Sequence, residues 1–196
     1  VIYYILGPGE GYFHSDCTDS IVWANATVES GKIFDPDFKY AALLPFSASA
    51  WMVPLIRIFG YGMTAHNIAM IIFAVIFAAS VWFCFRSFGM GRGFCGIATF
   101  AVLMLLSSSD KLREIMWGHV IYYSIGLCVL FFTLGIAARL LDGGTSRPRY
   151  VMLIVLMALL SAGAATDGMQ IIAIAILPTA AALIAERIFC GKDKLV

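Results

Sequence analysis

Residues 64–85 read TAHNIAMIIFAVIFAASVWFCF, and this run decides the fold because none of its 22 residues is Asp, Glu, Lys or Arg. A transmembrane helix needs about 20 consecutive apolar residues, so the run is long enough to cross a bilayer. The whole chain has the same character, since 61% of its residues are hydrophobic and 13% are charged. Soluble domains carry about a quarter charged residues. The sequence therefore predicts an integral membrane protein.

Four further apolar runs follow in the sequence, over residues 94–107, 119–141, 150–164 and 169–188. Several are shorter than the roughly 20 residues of a perpendicular span, and we expect flanking residues to complete them. The predicted fold class is all-α: a polytopic membrane helix bundle with about five transmembrane helices in residues 64–188. Residues 1–196 are expected to form one transmembrane domain and to be a fragment of a longer protein.

The connections between the runs alternate in charge. The connections that hold Arg86 and Arg92, then Arg139 and Arg149, together with the C-terminal tail, contain eight basic and three acidic residues. The remaining connections contain nine acidic and five basic residues. Because cytoplasmic loops carry an excess of Lys and Arg, residues 9–63 are predicted to form an extracytoplasmic acidic loop with interfacial helices. The predicted location is a multi-pass cell membrane, with a bacterial plasma membrane favoured over the endoplasmic reticulum.

Residues 41–60 form the last part of the acidic loop. They cannot cross the membrane if the residues before and after them both lie on the extracytoplasmic side. They include Pro45, Pro54 and Arg57. Proline kinks or ends a helix, and a helix that lies along the interface accepts both a kink and a charge. We predict a kinked juxtamembrane helix in the outer interface, with a one-sided hairpin as the alternative.

The beginning of the acidic loop holds the candidate catalytic residue Asp16 and the candidate substrate-binding residue Asp19. Ser15 or Asp16 can cap a helix through residues 20–29, which Gly31 would end. Asp16 would then lie at the positive helix start and Asp19 one turn later on the same side. Two carboxylates so placed can accept a proton or hold a divalent cation. The alternative is a capping Asp16 beside a solvated Asp19.

A second outer connection, residues 107–119, reads SSSDKLREIMWGH. Its two cations could pair with a lipid phosphate, and its histidine could hold a phosphate or a metal ion. The alternative is a solvated loop in which Asp110 pairs with Arg113 and Lys111 with Glu114. The candidate substrate ligands in this connection are Lys111, Arg113, Glu114 and His119.

Two other positions carry polar groups beside apolar runs. Asp167 lies in a third outer connection, and a carboxylate so close to hydrocarbon is costly unless it is functional or hydrated. Asp167 is therefore a further candidate for substrate binding. His66 and Asn67, at the outer start of residues 64–85, are predicted to be interfacial polar residues.

The sequence leaves the cofactor requirement open. A divalent metal ion is the candidate cofactor, and its candidate ligands are Asp16, Asp19 and His119. The sequence has no phosphate-binding glycine loop, nucleotide fingerprint or zinc pattern. Its five cysteines form no recognisable disulfide framework. No nucleic acid is an expected partner.

Residues 16–24, DCTDSIVWA, followed by Ser30-Gly31, resemble the first extracytoplasmic loop of the GT-C membrane glycosyltransferases. The proline-containing segment 44–60 and the basic turn 85–89 follow in the same order as in that family, so the resemblance covers residues 11–107. It is to members such as the protein mannosyltransferases and aminoarabinose transferases, and it implies that a sugar passes from a polyprenyl-phosphate donor to a lipid, protein or glycan acceptor on the extracytoplasmic side.

The family's catalytic Asp maps onto Asp16, which the resemblance implies is the general base of an inverting displacement. Cys17 stands where the family often has Glu. The implied partners are membrane lipids, the polyprenyl-phosphate sugar donor and other proteins. The alternative is a non-catalytic membrane subunit or GT-C-like relative. A lipid or solute transporter is less favoured, because transporters place polar groups at the midplane whereas these charges lie in connections.

Overall fold

The structure is a computed structural model that describes residues 1–7, 15–32, 35, 37–38, 48–119, 122–141, 146–166 and 169–189. The described residues contain helices and no strand, which confirms the all-α prediction. One π-helical turn, Glu114–Gly118, follows the short helix Asp110–Arg113, and another, Ile172–Ile176, follows the short helix Met169–Ile171. The helices are α1 (Ile2–Leu6), α2 (Ser15–Ser30), α3 (Ala48–Phe59), α4 (Met63–Ser87), α5 (Arg92–Leu105), α6 (Asp110–Arg113), α7 (Tyr122–Leu141), α8 (Arg147–Thr166), α9 (Met169–Ile171) and α10 (Leu177–Phe189).

Two of these helices are long and apolar enough to cross a membrane. They are α4 and residues Tyr123–Leu141 of α7. A third span exists if α5 and the segment Asp110–Gly118, which meet at an angle of 109°, count as one broken span. These helices support a helical membrane protein, while five spans and a GT-C-like bundle stay predictions.

The pair α4 and α7 forms the frame of the fold. The Phe77 and Phe131 ring centroids lie 5.9 Å apart, and nearer the helix ends Arg139 Nε donates to Ser87 Oγ at 2.8 Å. Because the contacts advance along both helices in the same direction, α4 and α7 are parallel. Between these contacts, a Cβ on Gly135 would come within 2.7 Å of the Phe83 ring, so only glycine permits this close approach.

The helix α3 packs against α2 and α4. Within residues 51–59, whose side chains the structure describes, Met52 and Ile56 are buried and lie one turn apart. At a rise of 1.5 Å per residue its 12 residues span about 18 Å, which is less than the roughly 30 Å of a hydrocarbon core. The described part of segment 41–60 is therefore too short to cross a bilayer. Its helix contains Pro54 as expected, whereas Pro45 lies outside the described residues.

Candidate functional site

The helix α2 places Asp16 and Asp19 at the start of the frame. It begins at Ser15, earlier than the predicted 20–29, so that Asp16 lies in its first turn. Asp19 follows one turn later, and both side chains are exposed. Gly31 ends the helix with a φ of 70°, a value that glycine adopts without strain, and its N–H donates to Thr27 O at 3.0 Å.

The orientation of α2 follows from its buried face. Cys17, Ser20, Ile21 and Ala24 are buried, and their spacing of three, one and three residues places them on one side of the helix. The small side chains of Cys17, Ser20 and Ala24 let α2 pack closely. Trp23 and Ala26 are also buried, outside this stripe, whereas Asp16 and Asp19 are exposed.

A buried histidine joins α2 to α4. His66 Nε2 lies 3.0 Å from the carbonyl oxygen of Cys17. Since a carbonyl only accepts hydrogen bonds, Nε2 carries the hydrogen in this contact. His66 is 2% exposed, so the residue that the sequence predicted to be interfacial and polar is packed inside the protein. The sequence signal for this contact was weak, because a lone histidine at a helix start does not identify its acceptor.

Residues 107–119 form a hydrogen-bonded turn. Trp117 Nε1 donates to Ser107 Oγ at 2.9 Å, and Arg113 Nη1 donates to the Ser107 carbonyl oxygen, also at 2.9 Å. The Ser109 hydroxyl caps α6 by accepting from the N–H of Leu112 at 3.2 Å. These bonds fix the angle between α5 and the segment that follows.

The charges of this turn pair with one another. Lys111 Nζ lies 2.6 Å from Glu114 Oε1, and the Arg113 guanidinium pairs with Asp110. Arg113 also lies over the ring of Tyr4, 4.9 Å from its centroid. This is the self-paired arrangement that the sequence left as an alternative. It commits Arg113 to the turn, whereas the side chain of Lys111 is 71% exposed and can reach another anion.

Glu114 and His119 form a buried pair behind Lys111. The π-helical turn is closed by the N–H of His119, which donates to the Glu114 carbonyl oxygen at 3.1 Å. This closure brings residues five apart onto one side, and His119 Nε2 lies 3.6 Å from Glu114 Oε1. Both side chains are buried. Single π-helical turns inside helices occur frequently at functional sites.

The start of α2 and the end of this π-helical turn meet at this point. A Cβ on Gly118 would lie 3.7 Å from Cys17 Sγ. Partial burial raises the pKa of Asp19, Asp16 raises it further, and His119 acts in the opposite direction. A hydrogen bond to Glu114 raises the pKa of Lys111, with further contributions from the charges of Glu114, Cys17 and Asp16. The structure thus gathers the predicted site residues Asp16, Asp19, Lys111, Glu114 and His119.

The predictions for Asp167 and for a metal site are not supported by the described residues. Asp167 lies outside the described residues. Within the ranges that the structure describes, no three His, Cys, Asp or Glu side chains lie together in a way that could hold a metal ion. Asp16, Asp19 and His119 therefore do not form a three-ligand metal site.

In comparisons with known proteins, no family model, no curated protein and no solved structure matches the chain. Functional conclusions therefore depend on the chemistry of this end of the frame. Here two exposed carboxylates and an exposed ammonium group face a buried carboxylate–imidazole pair. Such a set can bind an anion and accept a proton within one cluster.

Proposed function

We propose that the protein is a membrane glycosyltransferase of the GT-C type, which transfers a sugar from a polyprenyl-phosphate donor to a lipid, protein or glycan acceptor on the extracytoplasmic side. The observation that supports this proposal is the meeting of the Asp16 segment with residues 110–119 at one end of two apolar helices. The reaction needs a base for the acceptor, a cation for the donor phosphate and a membrane for the isoprenoid tail. This end of the molecule has carboxylates that can act as the base and an ammonium group that can act as the cation. It lies beside the two helices that are long and apolar enough to cross a membrane.

Asp16 is the proposed general base. Its exposed carboxylate would accept the proton of an acceptor hydroxyl while the hydroxyl oxygen attacks the sugar carbon. The bond from that carbon to the phosphate oxygen breaks, which inverts the carbon and releases polyprenyl phosphate. Asp19 lies one turn further along α2, where partial burial and the nearby charge of Asp16 raise its pKa.

Lys111 is the proposed phosphate ligand. Its ammonium group would stabilise the charge that develops on the leaving phosphate. To reach the phosphate, Lys111 must leave Glu114, which is buried. A protonated His119 can then take its place as the cation beside Glu114, because the two side chains lie 3.6 Å apart.

The decisive experiment compares two Asp→Asn variants of the full chain in nanodiscs. Undecaprenyl-phosphate-linked mannose and aminoarabinose serve as donors, and a bacterial envelope extract of lipids, proteins and glycans supplies the acceptor hydroxyl. Release of undecaprenyl phosphate is measured by mass spectrometry. Asp16→Asn should reduce release by about 10²–10⁴-fold, the usual contribution of a general base. Asp37→Asn, the same change at another exposed position of the loop, should match the wild type. Release that survives Asp16→Asn would rule out the proposed base.

One observation favours the second candidate, a non-catalytic membrane subunit. The Lys111–Glu114 and Arg113–Asp110 pairs neutralise one another without a ligand. A subunit of this kind would turn over neither donor, whether or not it binds undecaprenyl phosphate. Absence of release by the wild type in the same assay would therefore support the subunit and contradict the enzyme.

A further inference from the structure

A second group of charges lies at the opposite end of the frame, around the last turn of α7. Arg139 Nε donates to Ser87 Oγ at 2.8 Å, and the Arg139 guanidinium lies 4.8 Å from the centroid of the Phe83 ring. Ser87 Oγ in turn donates to the Phe83 carbonyl oxygen at 2.7 Å. These contacts hold the guanidinium of Arg139 against the end of α4 at a fixed place.

Two further arginines approach Arg139 from neighbouring helices. Arg86 precedes Ser87 on α4, and Arg149 lies in the first turn of α8, which packs against α7. Both are close enough to act on Arg139 as like charges, and Arg86 Nη1 also donates to the Met90 carbonyl oxygen. Three helices therefore bring three guanidinium groups to one end of the frame, where their N–H groups can donate to the oxygens of an anion.

We infer that Arg86, Arg139 and Arg149 form a binding site for the phosphate of an anionic phospholipid headgroup. Guanidinium groups are suited to this ligand because their planar donors match the oxygens of a phosphate. Basic pockets between transmembrane helices commonly bind anionic headgroups. The inference is independent of the proposed glycosyltransferase activity, since it concerns the other end of the helices.

The surroundings of the cluster favour a phospholipid over a free phosphate ion. α4 and α7 are the helices that can cross a membrane, and both end at the cluster, which places it at headgroup depth. α8 exposes apolar residues on several sides, and Met152, Leu156 and Leu159 follow Arg149 at intervals of three, four and three residues. A lipid with its phosphate at Arg149 could lay an acyl chain along these three residues.

The test measures binding of a fluorescent phosphatidylglycerol to the detergent-solubilised full chain. Arg149→Gln should weaken binding about fivefold, the approximate contribution of one basic residue near an anionic headgroup. Arg149→Lys, which keeps the charge, should recover at least half of the affinity that is lost. Arg92→Gln is the matched control, because Arg92 is an exposed arginine at the start of α5, and its loss should leave the affinity unchanged.

Arg139→Gln is not the test variant, because it would also remove the contacts of Arg139 with Ser87 and Phe83. Arg149→Gln leaves both contacts in place and therefore tests lipid binding alone. Unchanged binding by Arg149→Gln would overturn the inference. An equal loss in Arg92→Gln would also overturn it, by showing attraction to the whole basic face. Unlabelled phosphatidylglycerol should displace the probe, whereas excess inorganic phosphate should not. Displacement by inorganic phosphate would overturn the assignment to a lipid.

Discussion

The two ends of the α4–α7 frame collect different kinds of charge. At one end, Asp16 and Asp19 lie beside Lys111 and the buried Glu114–His119 pair, so anionic, cationic and imidazole groups share one cluster. At the other end the cluster consists of arginines. The same two parallel helices connect both clusters.

The difference in residue type separates what each end can do. Carboxylates and imidazoles change their protonation state within the accessible pH range, whereas an arginine in a protein stays charged. A mixed cluster can therefore bind an anion and also take up a proton, which proton-transfer chemistry requires. An arginine cluster can bind an anion but cannot exchange a proton with it. We accordingly place chemistry at the Asp16 end and lipid binding at the Arg139 end.

The largest effect on stability is expected from a change in the frame on which both ends depend. Gly135→Ala would place a Cβ within 2.7 Å of the Phe83 ring and 3.1 Å of Cys84 Cα. Because overpacking in a packed interface costs about 1–3 kcal/mol, the variant should unfold at a lower temperature in detergent. The test is to measure its Tm together with that of a matched glycine variant.

Gly93→Ala is that matched variant, because a Cβ on Gly93 meets nothing within 4 Å. Alanine also has a higher helix propensity than glycine, so this change should leave the Tm unchanged or raise it. Equal Tm values for the two variants would contradict the close contact between α4 and α7. A loosened frame should in addition weaken both sugar transfer and phosphatidylglycerol binding.

A smaller effect on stability is expected from Asp19, and it should depend on pH. The pKa of Asp19 is raised, first by partial burial and then by Asp16, so its charged form is disfavoured in the folded protein. The folded state therefore binds more protons than the unfolded state, and stability falls as the pH rises above the ordinary value of 3.8. Asp19→Asn should raise stability at pH 7 by less than about 1 kcal/mol, and the gain should vanish below pH 3.8.

The comparison with Arg92→Gln makes this experiment specific. Because arginine stays charged throughout, the difference in Tm between this variant and the wild type should be the same at pH 3.5 and pH 7. A loss of stability in Asp19→Asn at pH 7 would contradict the raised pKa. A gain of equal size at both pH values would contradict it as well.

Hydropathy was enough to predict a helical fold with apolar helices, whereas the roles of the predicted site residues stay predictions. The alternation of basic and acidic connections put Asp16 and residues 107–119 on the same side, and the structure brings those segments together. The pairing of Lys111 with Glu114 follows from their spacing of three residues, which places them on neighbouring positions of a helix.

Other features depend on tertiary packing and could not be predicted. The hydrogen bond from His66 to the Cys17 carbonyl oxygen requires the rotation of α2 against α4. The π-helical turn and the 109° bend determine how Glu114 faces His119, and no residue pattern specifies either. The number of spans was equally hard to predict, because the run at 94–107 becomes a 14-residue helix followed by that bend.

The central claim is that the start of α2 contacts the end of the π-helical turn, and a disulfide tests it directly. Cys17 is native, and a Cβ on Gly118 would lie 3.7 Å from its sulfur. Gly118→Cys should therefore form a disulfide with Cys17 when membranes are oxidised with copper phenanthroline, seen as a linked peptide by mass spectrometry. The link should be absent when Cys17→Ser is added. Failure of the folded single variant to form the link would contradict the convergence of these two segments.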